Sequence, residues 1–218
     1  FVALNALVMQ RYMYEYQWKH DDFANFSINA HANAVHNPNA RFRKAISFST
    51  YQKSPMICEP ISVMDASPMG DGAAALIVVP AEMARRINRP VIRVAGSGAA
   101  TDALAVHDRR DPLWLSAAEK SAKQAYQQAG IGPEQINFFE VHDAFTIMAT
   151  LSLEACGFAE RGQGVRLALE NEITPAGRIP VATMGGLKGR GHPVGATGMY
   201  QLAETVIQLR GEAGPTQI

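Results

Sequence analysis

Fourteen residues, Gly185-Gly186-Leu187-Lys188-Gly189-Arg190-Gly191-His192-Pro193-Val194-Gly195-Ala196-Thr197-Gly198, hold six glycines and one histidine. Glycine at that density lets a backbone turn through positive φ and come close to a ligand or another chain; we read that, and not packing, as its purpose. The loop opens onto an apolar-periodic segment, so His192 would sit near free N–H groups and the positive end of a helix. Such a field favours neutral imidazole, which can take a proton from a nucleophile and donate one hydrogen bond. The spacing is neither a P-loop nor G-x-G-x-x-G. A glycine-rich turn with an incidental histidine would show the same pattern.

A second group, His142-Asp143-Ala144-Phe145, follows a predicted buried strand. Open α/β sheets place ligands at such strand ends. Asp143 could equally be the N-cap of a helix starting near Phe145, whereas an imidazole at a buried strand end needs a hydrogen-bond partner. Two histidines, each after a strand and before a helix, suit one site. Ser67, ahead of Pro68, reads as a polar turn residue or a ligand contact.

The elements that must position these residues follow from periodicity. Phe1, Leu4, Val8 and Tyr12 form one stripe of a helix over 1–16, and a second helix is predicted over 21–36. Residues 36–60 are punctuated by Pro38, Pro55 and Pro60 and offer little to build a sheet with; they read as a lid. Strands are predicted over 73–79, a continuous apolar run, and over 91–95, 136–141 and 179–183. Helices are predicted over 81–87, over 113–129 with Gly130 as its stop, from Phe145 to about Cys156, and after the glycine loop. Met199, Leu202, Ala203, Val206 and Ile207 would be the inner face of that last helix. Alternating strands and helices give the class α/β.

The 218 residues balance 20 Lys+Arg against 20 Asp+Glu, with a pI near 7.2 and 47% hydrophobic residues. That argues against nucleic-acid binding, which needs a clustered basic face, and no apolar run approaches the roughly 18 residues of a membrane span. Cys58 and Cys156 make neither a disulfide framework nor a metal pattern and read as ordinary thiols of a reducing, cytoplasmic compartment. His31 and His36, five apart, are wrong for two ligands on one helical face, so no metal is expected. The aromatics from Phe1 to Phe26 read as core or subunit contact. The chain starts at Phe1 inside an apolar pattern and is expected to be a piece of something longer.

Gly191-His192-Pro193-Val194-Gly195-Ala196-Thr197-Gly198, preceded by Gly185-Gly186, resembles the C-terminal active-site loop of thiolases. His142-Asp143-Ala144-Phe145 resembles the His-Asp-x-Phe variant of the sterol-carrier-protein-type and archaeal acetyl-CoA acetyltransferase branch. The stretch from Asp65 to Ala75 resembles the segment by which the loop domain re-enters the core. The resemblance covers essentially the whole chain. It implies a layered thiolase-like fold truncated at both ends: a helical loop or lid segment over 1–60, the last strand of the N-terminal core half over 61–80, and an incomplete C-terminal half over 81–218.

The resemblance also implies roles. His192 would be the base that activates a cysteine nucleophile and would donate to the thioester oxygen, and His142 would complete that oxyanion site. Ser67 would contact the pantetheine arm, Ala144 and Phe145 would line the pocket, and Gly191 and Gly195 would let substrate approach. The nucleophile itself would lie outside this chain. Coenzyme A thioester would be the substrate, with no cofactor, and a homodimer or homotetramer the assembly. The rival readings are a retro-aldolase on β-hydroxyacyl-CoA working with a zinc-ribbon/OB-fold partner, and a non-catalytic acyl-CoA-binding or scaffold subunit.

Overall fold

In the computed structural model, which describes residues 1–84 and 86–218, the first third of the chain is helices, an irregular stretch over 36–47 and one hairpin. Helix α1 (Val2–Tyr16) ends where Gln17 turns left-handed at φ 59°. It buries Ala6, Val8, Met9 and Tyr12, whereas Phe1 and Leu4 of the predicted stripe are exposed. A 3₁₀ turn, His20–Phe23, leads into α2 (Ala24–Ala34), and α3 (Phe48–Gln52) is capped by Ser47, whose hydroxyl accepts from the Thr50 N–H.

Strands β1 (Met56–Cys58) and β2 (Ile61–Ser62) pair antiparallel around a cis Glu59–Pro60 turn. This corrects the expectation for 36–60: among the described residues the named strands lie at its edge and just beyond it. Helices α4 (Ala81–Ala84), α5 (Ser116–Ala129), α6 (Thr146–Ala155), α7 (Gly164–Leu169) and α8 (Thr197–Leu209) follow.

Among the described residues none of the four predicted strands belongs to a sheet. Residues 73–79 have no ladder partner among the described residues, and Ile77 and Val78 are 93% and 82% exposed where burial on both faces was expected. Apolar β-branched residues favour extension, but a strand exists only where a neighbour accepts its hydrogen bonds. The turn 96–98 that follows the second predicted strand lies on α5: Ser97 exchanges hydrogen bonds with the Gln128 side chain, and a Cβ at Gly96 or Gly98 would overlap the Ala125 or Ser121 carbonyl.

Residues 136–141 and 179–183 do run side by side and parallel, as an α/β reading requires, but through the single bridge Phe139–Val181. Side chains take over the remaining ladder. Asn29 and Asn33 of α2 donate to the Val181 and Ala182 carbonyls, and Gln201 of α8 donates to those of Glu140 and Val141. The Thr183 N–H goes to the Glu140 carboxylate.

Helix α6 is the centre of the packing. Ala149 and Leu153 face a cluster with Phe26, Ala30, Val141, Phe158, Ile179 and Val181, while Ile147 and Leu151 face a second cluster with Met9, Tyr12, Phe23, Ile61 and Val165. Burying each such side chain is worth about 1.5–3 kcal/mol. Because α6 starts four residues after His142, this double-sided burial fixes that end of the site. Helix α8 corrects the sequence expectation: its buried residues include Glu204 and Gln208, while Leu202 of the predicted inner face is 53% exposed.

Candidate active site

Two loops meet. The first leaves the extended stretch at Val141 and enters α6 at Thr146, carrying His142; the second carries His192 between a π-helical turn (Gly186–Arg190) and α8. The His142 and His192 ring centres are 5.0 Å apart, the planes nearly perpendicular at 84°. That is within about two hydrogen-bond lengths, so one small group can touch both. His142 keeps part of its surface exposed while its ring packs edge to face with that of half-buried His192, and the His192 Nδ1 lies 2.7 Å from the Thr197 hydroxyl at the start of α8.

The strip 65–70 runs between the loops. Ala66 bridges Phe145, the Ser67 N–H donates to the Ala144 carbonyl at 2.8 Å, and the His192 N–H donates to the Pro68 carbonyl at 3.1 Å. Ser67, Ala144, Phe145 and His192 are therefore brought to one place, with Phe145 buried and Ser67 half-buried. Gly191, at φ 114°, joins the π turn to His192, whereas Gly195 is exposed with nothing within 4 Å of a Cβ.

Asp143 does not cap α6, whose N-cap is Phe145 without a side-chain bond. Its buried carboxylate instead accepts the Leu187 N–H at 2.7 Å and so staples the two histidine loops together. The π turn also lies tightly on α2: a Cβ at Gly189 would come 2.6 Å from the Ala34 Cβ, and one at Gly185 2.7 Å from it. Gly189 serves packing, against the sequence reading, whereas Gly185, at φ 108°, makes the positive-φ turn that reading expected as well as the close contact. Asn29, Asn33 and Asn37 hold the chain leading into the turn by donating to the Val181, Ala182 and Met184 carbonyls at 2.9, 3.0 and 2.9 Å. The four-residue spacing of Asn29 and Asn33, which puts them along one side of α2, was the signal available in the sequence; Asn37 follows just past the helix end.

A family model for "Thiolase C-terminal domain-like" matches residues 98–218. The chain belongs to the thiolase family. It is 43% identical, over its whole length, to an acetyl-CoA acetyltransferase of Methanothermobacter thermautotrophicus, of which it covers 57%. It is 34% identical over 98% of its length to benzoylsuccinyl-CoA thiolase subunit BbsB of Thauera aromatica, covering 55% of that protein. Among solved structures, the Ltp2–ChsH2 aldolase matches 96% of this chain at 26% identity and a TM-score of 0.86, with 56% of that chain covered. The thiolase-family chain thus spans about half the length of the relatives it matches. No helix of the described residues is long and apolar enough to cross a membrane.

Burial pushes both imidazoles of this thiolase chain below the ordinary value, and each would repel a charge on Arg190 nearby; His142 adds to the effect on His192, while Asp143 opposes it in both. Neutral imidazole is therefore the form present near neutrality. Behind the rings, Arg190 pairs with Glu204 at 3.0 Å and lies 4.8 Å from the Tyr200 ring centre. Burial, then the Glu140 charge, pushes Glu204 up to about 8. Lys188 is buried and lowered to about 8 by that burial, against the pull of Asp143 and Asp65. Cys58 and Cys156 are half-buried, and burial raises the Cys156 thiol to about 11, the wrong direction for a nucleophile.

Proposed function

We propose that the protein carrying this chain is an acyl-CoA acyltransferase that makes or cleaves a carbon–carbon bond between acyl-CoA units through a cysteine-bound acyl group. The observation that carries the proposal is the 5.0 Å convergence of two imidazoles, both lowered toward the neutral form.

In this reading His192 Nδ1 donates to Thr197, leaving the Nε2 lone pair to take a thiol proton. The resulting thiolate, supplied from outside these residues, attacks the thioester carbonyl, and coenzyme A leaves as its thiol by taking a proton back. His142 and His192 face the oxygen on which negative charge collects, where pre-aimed donors count most because they need no reorganisation. The strip at Ser67 and the edge formed by Ala144 and Phe145 receive the pantetheine arm, and residues 1–60 act as the lid over a C-terminal half beginning near 81. Acyl-CoA is the substrate class, no further cofactor takes part, and the cytoplasm is the compartment.

The test is release of free coenzyme A from acetyl-CoA or acetoacetyl-CoA by the full-length protein. His192→Ala should lower turnover by at least about 10²-fold with the melting temperature retained; full activity in that variant would refute the assignment. The likeness to the Ltp2–ChsH2 aldolase favours one alternative, carbon–carbon cleavage of a β-hydroxyacyl-CoA with a partner subunit. That chemistry needs no cysteine. A full-length protein without a nucleophilic cysteine, cleaving a β-hydroxyacyl-CoA only when a partner is added, would decide for it.

A further inference from the structure

The Asp65 carboxylate is fully buried, and donors from four separate segments converge on it. On one oxygen, Oδ2, lie His20 Nε2 at 2.7 Å, the Ser62 hydroxyl at 2.8 Å and the Ser62 N–H at 2.9 Å. The other oxygen accepts the Tyr51 hydroxyl at 2.7 Å and the Thr146 hydroxyl at 2.9 Å. The Asp65 main-chain carbonyl accepts the ammonium of buried Lys188. Two of these donors stand in matching places: Thr146 comes four residues after His142, and Lys188 comes four residues before His192. The strip that continues from Asp65 is the one bridged to Phe145 on one side and to His192 on the other.

We propose that Asp65 is the positioning residue of this site, holding both histidine loops at their separation through Thr146 and Lys188. The role rests on the acyl-transfer reading only for its kinetic consequence; the geometry stands without it. A carboxylate suits the place because it only accepts, and the donors that surround it leave none of its lone pairs unused. Hydrogen bonds from His20, the Lys188 charge and the Tyr51 hydroxyl outweigh the effect of burial, which alone would raise the group, and hold it ionised with a value of about 2. Through His20 and Tyr51 the same carboxylate ties the first third of the chain to the histidines. A support that sets the separation of two groups acts on the transition state more than on binding, since misplacing a catalytic group by about 1 Å costs on the order of 10² in rate.

Thr146→Val keeps the side-chain shape and removes the hydroxyl, Thr146→Ser does the reverse, and Lys188→Met removes the other tie. In the full-length protein, Thr146→Val and Lys188→Met should lower kcat by about 10–100-fold with KM unchanged, and Thr146→Ser should recover most of the loss. The ring ¹⁵N signals of His142 and His192 should shift in the first two variants and return in the third. Equal losses in Val and Ser, or wild-type kcat and ring signals in Thr146→Val, would overturn the proposal. Should Lys188→Met fail to fold, the Val and Ser pair still decides. If the wild type releases no coenzyme A, the acyl-transfer reading fails while the ring signals continue to judge Asp65.

Discussion

Gly186→Ala tests the contact by which the two histidine loops are joined. Gly186 has φ 53°, in the left-handed region that costs a residue with a Cβ about 1–2 kcal/mol. Its Cβ would fall 2.6 and 2.8 Å from the Asp143 carboxylate oxygens and 2.7 Å from the Ala182 Cβ. Relief requires those neighbours to retreat by roughly 0.7 Å, and overpacking of that kind typically costs about 1–3 kcal/mol. The expected destabilisation is therefore about 2–5 kcal/mol, read as a lower urea midpoint at unchanged slope.

The retreat also moves the oxygen that holds the Leu187 N–H at 2.7 Å, so turnover should fall by about 10–100-fold. In an Asp143→Ala background the carboxylate is gone and only the backbone strain and the Ala182 overlap remain. A double-mutant cycle measured by urea unfolding should then give a coupling of at least about 1 kcal/mol between the two positions. Equal cost in both backgrounds, or a Gly186→Ala protein that unfolds and turns over like the parent, would refute the staple.

Burial holds His31, His142 and His192 below the ordinary imidazole value of 6.5. Below about pH 6.5 the unfolded chain binds protons at these positions that the native one refuses, so their contribution to stability is complete above that value and falls as pH drops, while Glu204, raised to about 8, contributes in the opposite sense. Urea midpoints of the parent and of a His142→Asn variant at several pH values between 5 and 8 check this: the parent should lose stability relative to the variant on acidification, and a difference independent of pH would contradict it. Tyr12→Phe removes the 2.5 Å hydrogen bond to buried Glu154, whose carboxylate also receives the Gly164 N–H at 2.9 Å. The loss should cost about 1–3 kcal/mol, visible as a lower melting temperature with turnover retained; an unchanged melt would show that the bond contributes nothing net.

The histidine loops were legible in one dimension because their chemistry is written locally. A glycine-rich run with one histidine, and a His-Asp pair between an apolar strand and a helix, are patterns of neighbouring residues. So were the helices around α5 and α6, whose periodicity and stop signals at Gly130 and Gly157 survive in the fold, with Gly157 at φ 86°. Family membership belongs to the same kind of information, since it rests on ordered motifs.

Tertiary structure alone decided the partners. Asp143 looked like a helix cap, yet it reaches a main-chain N–H more than forty residues away, which no local pattern encodes. Asp65 reaches donors at His20, Tyr51 and Thr146 for the same reason. The apolar run at 73–79 read as a buried strand because composition records the preference for extension, while pairing depends on which segment lies alongside. Glu204, buried against Arg190 at 3.0 Å, reversed the expected inner face of α8, because a buried polar group needs a partner more than a helix needs a uniform stripe. The sequence could name the groups able to do chemistry; their 5.0 Å approach and the carboxylates behind it exist only once distant segments are folded against α2 and α6.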